Sequence, residues 1–224
     1  LPTPLSALAT ISSNAWPQTW SLEMGYIQFE GGRYQDLYLF RSIISKEQWQ
    51  EVLPLLVRHL ASPNYVVDTY AAIVVERVLY LTDTQGQPII PPSAITPLAK
   101  DLLEHIFQLM QKDPAPQKVQ ENEFLMRCVM RVLIVIKDGV VPYTDQVLQH
   151  LISITQLISA NPSNPRFYYF HFEALGAFIR YVLETSLQRD LIDRRYAAPA
   201  NPDKLEQALY PPFAAVLQGD VQGM

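Results

Sequence analysis

The 224-residue sequence predicts an all-α fold, an α-solenoid of HEAT-like antiparallel helix pairs. Three observations carry this. Apolar residues recur at three- and four-residue spacing through one long segment after another, the periodicity of a helix with one buried side. Glycine is scarce, at 8 residues, while the 18 prolines cluster between the apolar runs rather than inside them, so turns punctuate the helices. Each helix carries a long apolar face, and one pair alone cannot hide two such faces from water; stacking of pairs into a continuous layer can.

Residues 1–32 form an arm or partial repeat rich in Pro, Ser, Thr and Ala, closed by Gly31-Gly32. A short helix over 34–44 follows. Ser45 is placed to cap the next helix, 46–60, and Gln48 three residues on completes a capping box; Pro54 inside this segment predicts a kink or a later start. Helix 65–81 has Val66, Tyr70, Ile73, Val74, Arg77, Val78 and Leu81 at helical spacing; its β-branched residues alone would permit a strand, but length and spacing favour helix. After the loop 82–92, Ser93 is the expected cap of a helix reaching 111, with Ile95, Leu98, Leu102, Ile106 and Leu109 inward. Residues 112–120 are polar and read as a connection. Helix 121–137 has the strongest signal, with Phe124, Cys128, Val132 and Val135 on one side and Leu125, Val129, Leu133 and Ile136 broadening it; Gly139 is the expected left-handed C-cap. Helix 142–159 follows directly and turns inward Val147, Leu148, Leu151, Ile154 and Ile158. Phe170, Ala174, Leu175, Phe178 and Tyr181 mark helix 167–186, the segment 188–202 connects, and 204–217 is a last helix split by Pro211-Pro212. The expected organisation is one array over 33–219, made of pairs 33–60, 64–111, 121–160 and 167–219, with 220–224 beyond it. The second helices, 46–60, 93–111, 142–159 and 204–217, are expected to line the inner surface. Leu1 in place of an initiator Met, beside unspent apolar surface at both ends, leads to the expectation of a piece of a longer chain.

A formal net charge of −5 and the lack of a basic stripe argue against nucleic acid as the partner, and weakly against an anionic membrane. No apolar run is long enough for a membrane span. Cys128 is the only cysteine and lies in an apolar run, which reads as a small buried hydrophobe in a reducing compartment rather than a reactive thiol.

Chemistry is hard to find. There is no GxxxxGK loop, no glycine-rich turn after a strand and no HExxH pair, and His59, His105, His150 and His171 sit on four separate helices. Glu121 with Glu123, and His171 with Glu173, are two residues apart and so point to different sides of a helix. No catalytic, cofactor-binding or metal-binding residue is assigned, and the expected class is a binding scaffold without cofactors. The polar feature of note is Glu123, Arg127 and Arg131 at four-residue intervals: Glu123–Arg127 has favourable charge order, Arg127–Arg131 is a like-charge pair. They read either as a solvated helix edge, or as an anchor for a partner carboxylate or for an adjacent repeat. The loop 161–165 has the same ambiguity between a rigid connection and a peptide-contacting rim.

Three stretches go beyond a generic repeat. They are Ser62-Pro63-Asn64-Tyr65-Val66-Val67-Asp68-Thr69-Tyr70-Ala71-Ala72 with Glu76-Arg77; Glu121-Asn122-Glu123-Phe124-Leu125-Met126-Arg127-Cys128-Val129-Met130-Arg131; and Asn161-Pro162-Ser163-Asn164-Pro165-Arg166-Phe167 running into Phe172-Glu173-Ala174-Leu175. In order and separation they resemble the middle of the superhelix of the CAS-type exportins, the importin-alpha re-exporters of the importin-beta superfamily. The resemblance spans roughly residues 34–186 and returns weakly over 204–222, while 1–32 and 188–202 depart from the family pattern. It implies a receptor that binds importin-alpha together with Ran in its GTP form and shuttles between nucleus and cytoplasm through nuclear pores. It implies no direct contact with nucleic acid and no membrane insertion, and the GTP belongs to Ran. Within the matching stretches, Arg127, Arg131 and Asn164 are the candidate partner-binding residues. A runner-up is a HEAT-repeat adaptor or assembly scaffold for other proteins.

If the apolar faces are assigned correctly, Val74→Asp and Cys128→Asp each bury a charge and lower stability by about 4 kcal/mol or more, whereas surface charge reversals stay within about 0.5 kcal/mol. Denaturant unfolding of the variants checks this; unchanged midpoints would count against these faces.

Overall fold

A computed structural model describes residues 44–192 and scattered positions between 206 and 218. Its helices are α1 (Lys46–His59), α2 (Tyr65–Val78), α3 (Pro92–Ile95), α4 (Ala99–Met110), α5 (Pro116–Glu121), α6 (Glu123–Ile136), α7 (Thr144–Ala160) and α8 (Pro165–Ile192), with 3₁₀ turns at Thr96–Leu98 and Lys137–Tyr143. No strand occurs among the described residues; Thr82 and Pro88 meet in an isolated bridge. The expected segments 1–32 and 220–224, and the helix 34–44 except for Ile44, lie outside the described residues. The expected helix 204–217 does too, apart from scattered helical positions.

The helices form HEAT-like antiparallel pairs. The first helices of successive pairs, α2, α6 and α8, pack side by side, and α1, α4 and α7 pack against them as second helices. Between the two rows runs one apolar core, from Trp49 and Leu56 in α1, through Val74 and Val75 in α2, Leu102 and Ile106 in α4 and Cys128 and Val132 in α6, to Phe167 and Phe178 in α8. Cys128 is 0% and Val74 2% exposed, so both stand where the periodicity places them.

Local chemistry explains most boundaries. Ser45 and Gln48 form the expected capping box at the start of α1. Pro54 does not delay that helix, which begins at Lys46 and runs through it; Pro54 is exposed, on the side where the carbonyl of Gln50 can be hydrated. Asn64 caps α2 through Oδ1, which accepts from the amide of Val66. The turn after α2 closes on Asp83, whose Oδ1 accepts from the amides of Gln85 and Gln87, while Gly86 takes φ +75°.

Several expectations need correction. Ser93 is not a cap: Pro91 stands at that position, and Pro97 interrupts the segment with a 3₁₀ turn, so the long helix starts only at Ala99. Residues 112–120 are not a plain connection, because α5 begins in them at Pro116 and takes in Glu121, so that the expected helix 121–137 starts only at Glu123. The positive φ near the end of α6 belongs to Lys137, at 50°, not to Gly139. Gly139 serves close approach instead: an added Cβ would lie 3.0 Å from Cγ2 of Thr96. In α2 the buried apolar positions are Val67, Ala71, Ala72, Val74, Val75 and Val78, with Asp68 and Glu76 buried beside them, while Val66 is exposed and Tyr70, Ile73 and Arg77 are half-buried. The sequence stripe is therefore right at Val74 and Val78 and follows the outer edge of the helix at Val66, Tyr70, Ile73 and Arg77.

A buried polar contact joins α7 to α8. Thr155 Oγ1 donates to the carbonyl of Leu151 at 2.8 Å and lies 2.7 Å from Nε2 of His171. The hydroxyl has one proton and spends it on Leu151, so His171 must donate through Nε2. Its Nδ1 is then a buried acceptor without a partner. Burial pushes the imidazole pKa down from 6.5 to about 3. The unfolded chain takes up this proton near 6.5 and the folded one does not until about 3, so stability falls as pH falls through this window. The expected loss attributable to His171 between about pH 7 and about pH 4 is on the order of 3 kcal/mol. Denaturant titrations of the wild type and His171→Phe at the two pH values measure it; the variant should lack that part of the acid dependence.

Candidate partner-binding surface

The arginines at four-residue spacing on α6 meet a carboxylate that local sequence does not reveal. Glu76 on α2 is only 8% exposed at its side chain; its Oε2 lies 3.3 Å from Nη2 of Arg127 and its Oε1 3.9 Å from Nη2 of Arg131. A carboxylate this buried needs neighbouring positive charge, and two arginines one turn apart on the facing helix straddle it. The like-charge pair is reconciled because Glu76 sits between the two guanidinium groups. Arg127 also lies over the ring of Phe170 on α8, 5.7 Å from its centroid, and Arg131 over Tyr80, at 4.4 Å. Of the contacts open in the sequence, the one with an adjacent repeat is therefore present. Glu123 does not close on Arg127; it lies 3.6 Å from Nη1 of Arg166 on α8. The side chains of Arg127 and Arg131 remain 35% and 21% exposed, with each Nε buried and without a hydrogen-bond partner.

Asn164 sits apart from this cluster, at the entrance to α8. Its Oδ1 accepts from the amides of Arg166 and Phe167, as a helix cap does, and its Nδ2 donates to the carbonyl of Gln120 at 2.9 Å. Gln120, 1% exposed in α5, is the hub of this junction. Its Nε2 donates to the carbonyls of Pro116 and Asn161, and its Oε1 accepts from the amides of Ser163 and Asn164. The sequence reading missed Gln120 because a glutamine in a polar, proline-bearing stretch looks solvated; its partners in the 161–164 connection lie more than forty residues away.

Cys128, on the same helix as the arginines, is a fully buried free thiol; burial, then the charge of Glu76, pushes its pKa far up. No group of histidine, cysteine and carboxylate suited to a metal occurs among the described residues. No described helix is long and apolar enough to cross a membrane.

Stacked pairs whose charged and amide side chains tie one layer to the next define an α-solenoid of the HEAT type. The comparisons narrow this to one family. Residues 76–224, more than half of the chain, match the family described as CAS/CSE protein, C-terminus, and residues 32–75 match the one described as Cse1. The chain belongs to the CAS/CSE family of the importin-beta superfamily. The border between the two matches falls inside α2, so one unbroken helix joins them. The importin-alpha re-exporter of Schizosaccharomyces pombe is 35% identical over 185 residues, 83% of this chain and 18% of that protein. Exportin-2 of Danio rerio is 34% identical over 82% of this chain and 17% of its own length. A solved structure, the exportin Cse1 in its cargo-free, cytoplasmic state, superposes with a TM-score of 0.63 at 32% identity, covering 84% of this chain and 18% of that one. The chain thus spans about a fifth of the length of these relatives.

The pairing of Glu76 with the arginines is a coupling across layers. In a double-mutant cycle, Glu76→Gln and Arg127→Gln are expected to show an interaction energy of about 1 kcal/mol or more in unfolding free energy. Values that simply add would mean that the ion pair carries no net coupling.

Proposed function

We propose that the chain is a segment of a nuclear export receptor that binds importin-alpha as cargo together with GTP-bound Ran, and that shuttles between nucleus and cytoplasm. The observation that carries this reading is the match to importin-alpha re-exporters over 83% of the chain. The fold agrees with it, because a row of stacked pairs offers a long surface to a protein partner. The whole receptor is the acting unit, since this chain covers less than a fifth of its relatives' length.

Within the segment, Arg127 and Arg131 are the proposed partner contacts, acting through guanidinium N–H groups not directed at Glu76. Asn164, whose polar atoms are held by Gln120, Arg166 and Phe167, sets the neighbouring rim. Charge reversal at either arginine would set a second carboxylate beside Glu76, so neutral variants make the cleaner test.

The test is capture of importin-alpha by the full-length receptor, with Ran loaded with GTP, with Ran loaded with GDP, and without Ran. The proposal expects retention with GTP-loaded Ran only. Made in a Glu76→Gln background, so that no buried carboxylate is left unpaired, Arg127→Gln with Arg131→Gln should weaken that complex about tenfold or more relative to Glu76→Gln alone, at a matched melting temperature. Equal retention in all three conditions would favour the adaptor reading, and unchanged affinity in the double variant would remove the two arginines from the interface.

A further inference from the structure

Between the first turn of α2, the end of α4 and the start of α6 lies an open groove of about 580 Å³. Its walls include Tyr65, Met110, Lys112, Phe124 and Leu125, and Asp68 also lines it. Asp68 is only 4% exposed. Its position in the first turn of a helix favours a carboxylate in general. That alone does not account for how it is left. Its hydrogen bonding is to Thr69, its own neighbour, whose hydroxyl donates to Oδ1 at 3.2 Å. No cation stands within ion-pair distance of it among the described residues. Lys112 acts on it only through space, and burial outweighs that attraction, pushing the carboxyl pKa up.

The other acids of the groove are already engaged. Glu121 holds the ammonium of Lys118 at 2.9 Å, and Asp113 accepts from the amide of Ala115. Asp68 is held only by its neighbour Thr69, through the hydroxyl and the backbone amide, and burial still outweighs these bonds. The charged lining, three acids against Lys112 and Lys118, has a net charge of −1. Apolar and aromatic side chains share the lining with this carboxylate, among them Tyr65, which is 67% exposed. A long stem with a cationic end matches this combination of apolar walls and a poorly neutralised carboxylate.

We infer that this groove is a docking site for a basic side chain, lysine or arginine, presented by an extended segment of a partner protein. The stem lies against Met110, Phe124 and Leu125, Tyr65 offers its ring face to the cation, and the charged end pairs with Asp68. Lys112 is the resident competitor for that carboxylate. The site is separate from the arginine cluster around Glu76 and does not depend on which cargo the receptor carries.

The test is an NMR titration of the full chain with a pentapeptide of glycine and alanine around one central lysine, against its twin with norleucine in place of lysine. The expected result is perturbation of the amides of residues 65–69 and 109–113, with the lysine peptide binding at least tenfold tighter. Asp68→Asn keeps the shape of the side chain and should abolish that preference. Lys112→Met removes the competing ammonium and should tighten the lysine peptide severalfold, which keeps the test decisive if Asp68→Asn fails to fold. Equal affinity for the two peptides, a preference that survives Asp68→Asn, or lysine-peptide affinity that is unchanged or weaker in Lys112→Met would each overturn the inference.

Discussion

The structure depends on the contact between one first helix and the next. Helix α6 is covered by α2 on one flank and α8 on the other while it also faces the second-helix row, so Cys128, Val129 and Val132 lose all contact with water. Complete burial of a side chain of this kind contributes roughly 1.5–3 kcal/mol relative to exposure. No single pair can supply it, because every pair turns an apolar flank outward until a neighbour covers it. The polar ties lie where these flanks meet: Glu76 with Arg127 and Arg131 across α2 and α6, and Gln120 with the 161–164 connection.

Much of this arrangement is readable from the chain because helical spacing and turn chemistry are local. The capping box at Ser45, the inward faces of α6 and α7 and the burial of Cys128 follow from residues within one or two turns of each other. The failures share a cause. In α2, apolar residues occupy nearly every side, so spacing alone does not say which stripe faces the core; two neighbouring helices decide it, and Val66, Tyr70 and Ile73 end up on the outer edge. Gly139 looks like a stop signal but is needed for its small size against Thr96, a residue more than forty positions away.

The candidate site divides along the same line. The spacing of Arg127 and Arg131 marks them as a pair, yet what they hold is set by Glu76, some fifty residues earlier on another helix. Asn164 sits in a recognisable cap context before α8, whereas Gln120, which locks it, has no sequence signal beyond being a glutamine among polar residues. Side chains that read as solvent-facing are thus used to fasten layers together. The partner chemistry proposed above draws on what those fastenings do not consume: the remaining guanidinium edges, and the groove where Asp68 has no cation within ion-pair distance among the described residues.

The Gln120 junction has a mechanical consequence. Apolar burial is non-directional, so by itself it holds two flanks together without fixing how far one has slid over the other. Directional hydrogen bonds resist such sliding, because a displacement of an ångström or so breaks them. Four of them join Gln120 to the 161–164 connection, and one end of the α5–α8 step is pinned there. Flexing of the array at this step is accordingly a rocking about the Gln120 end, not a translation of one layer over the next.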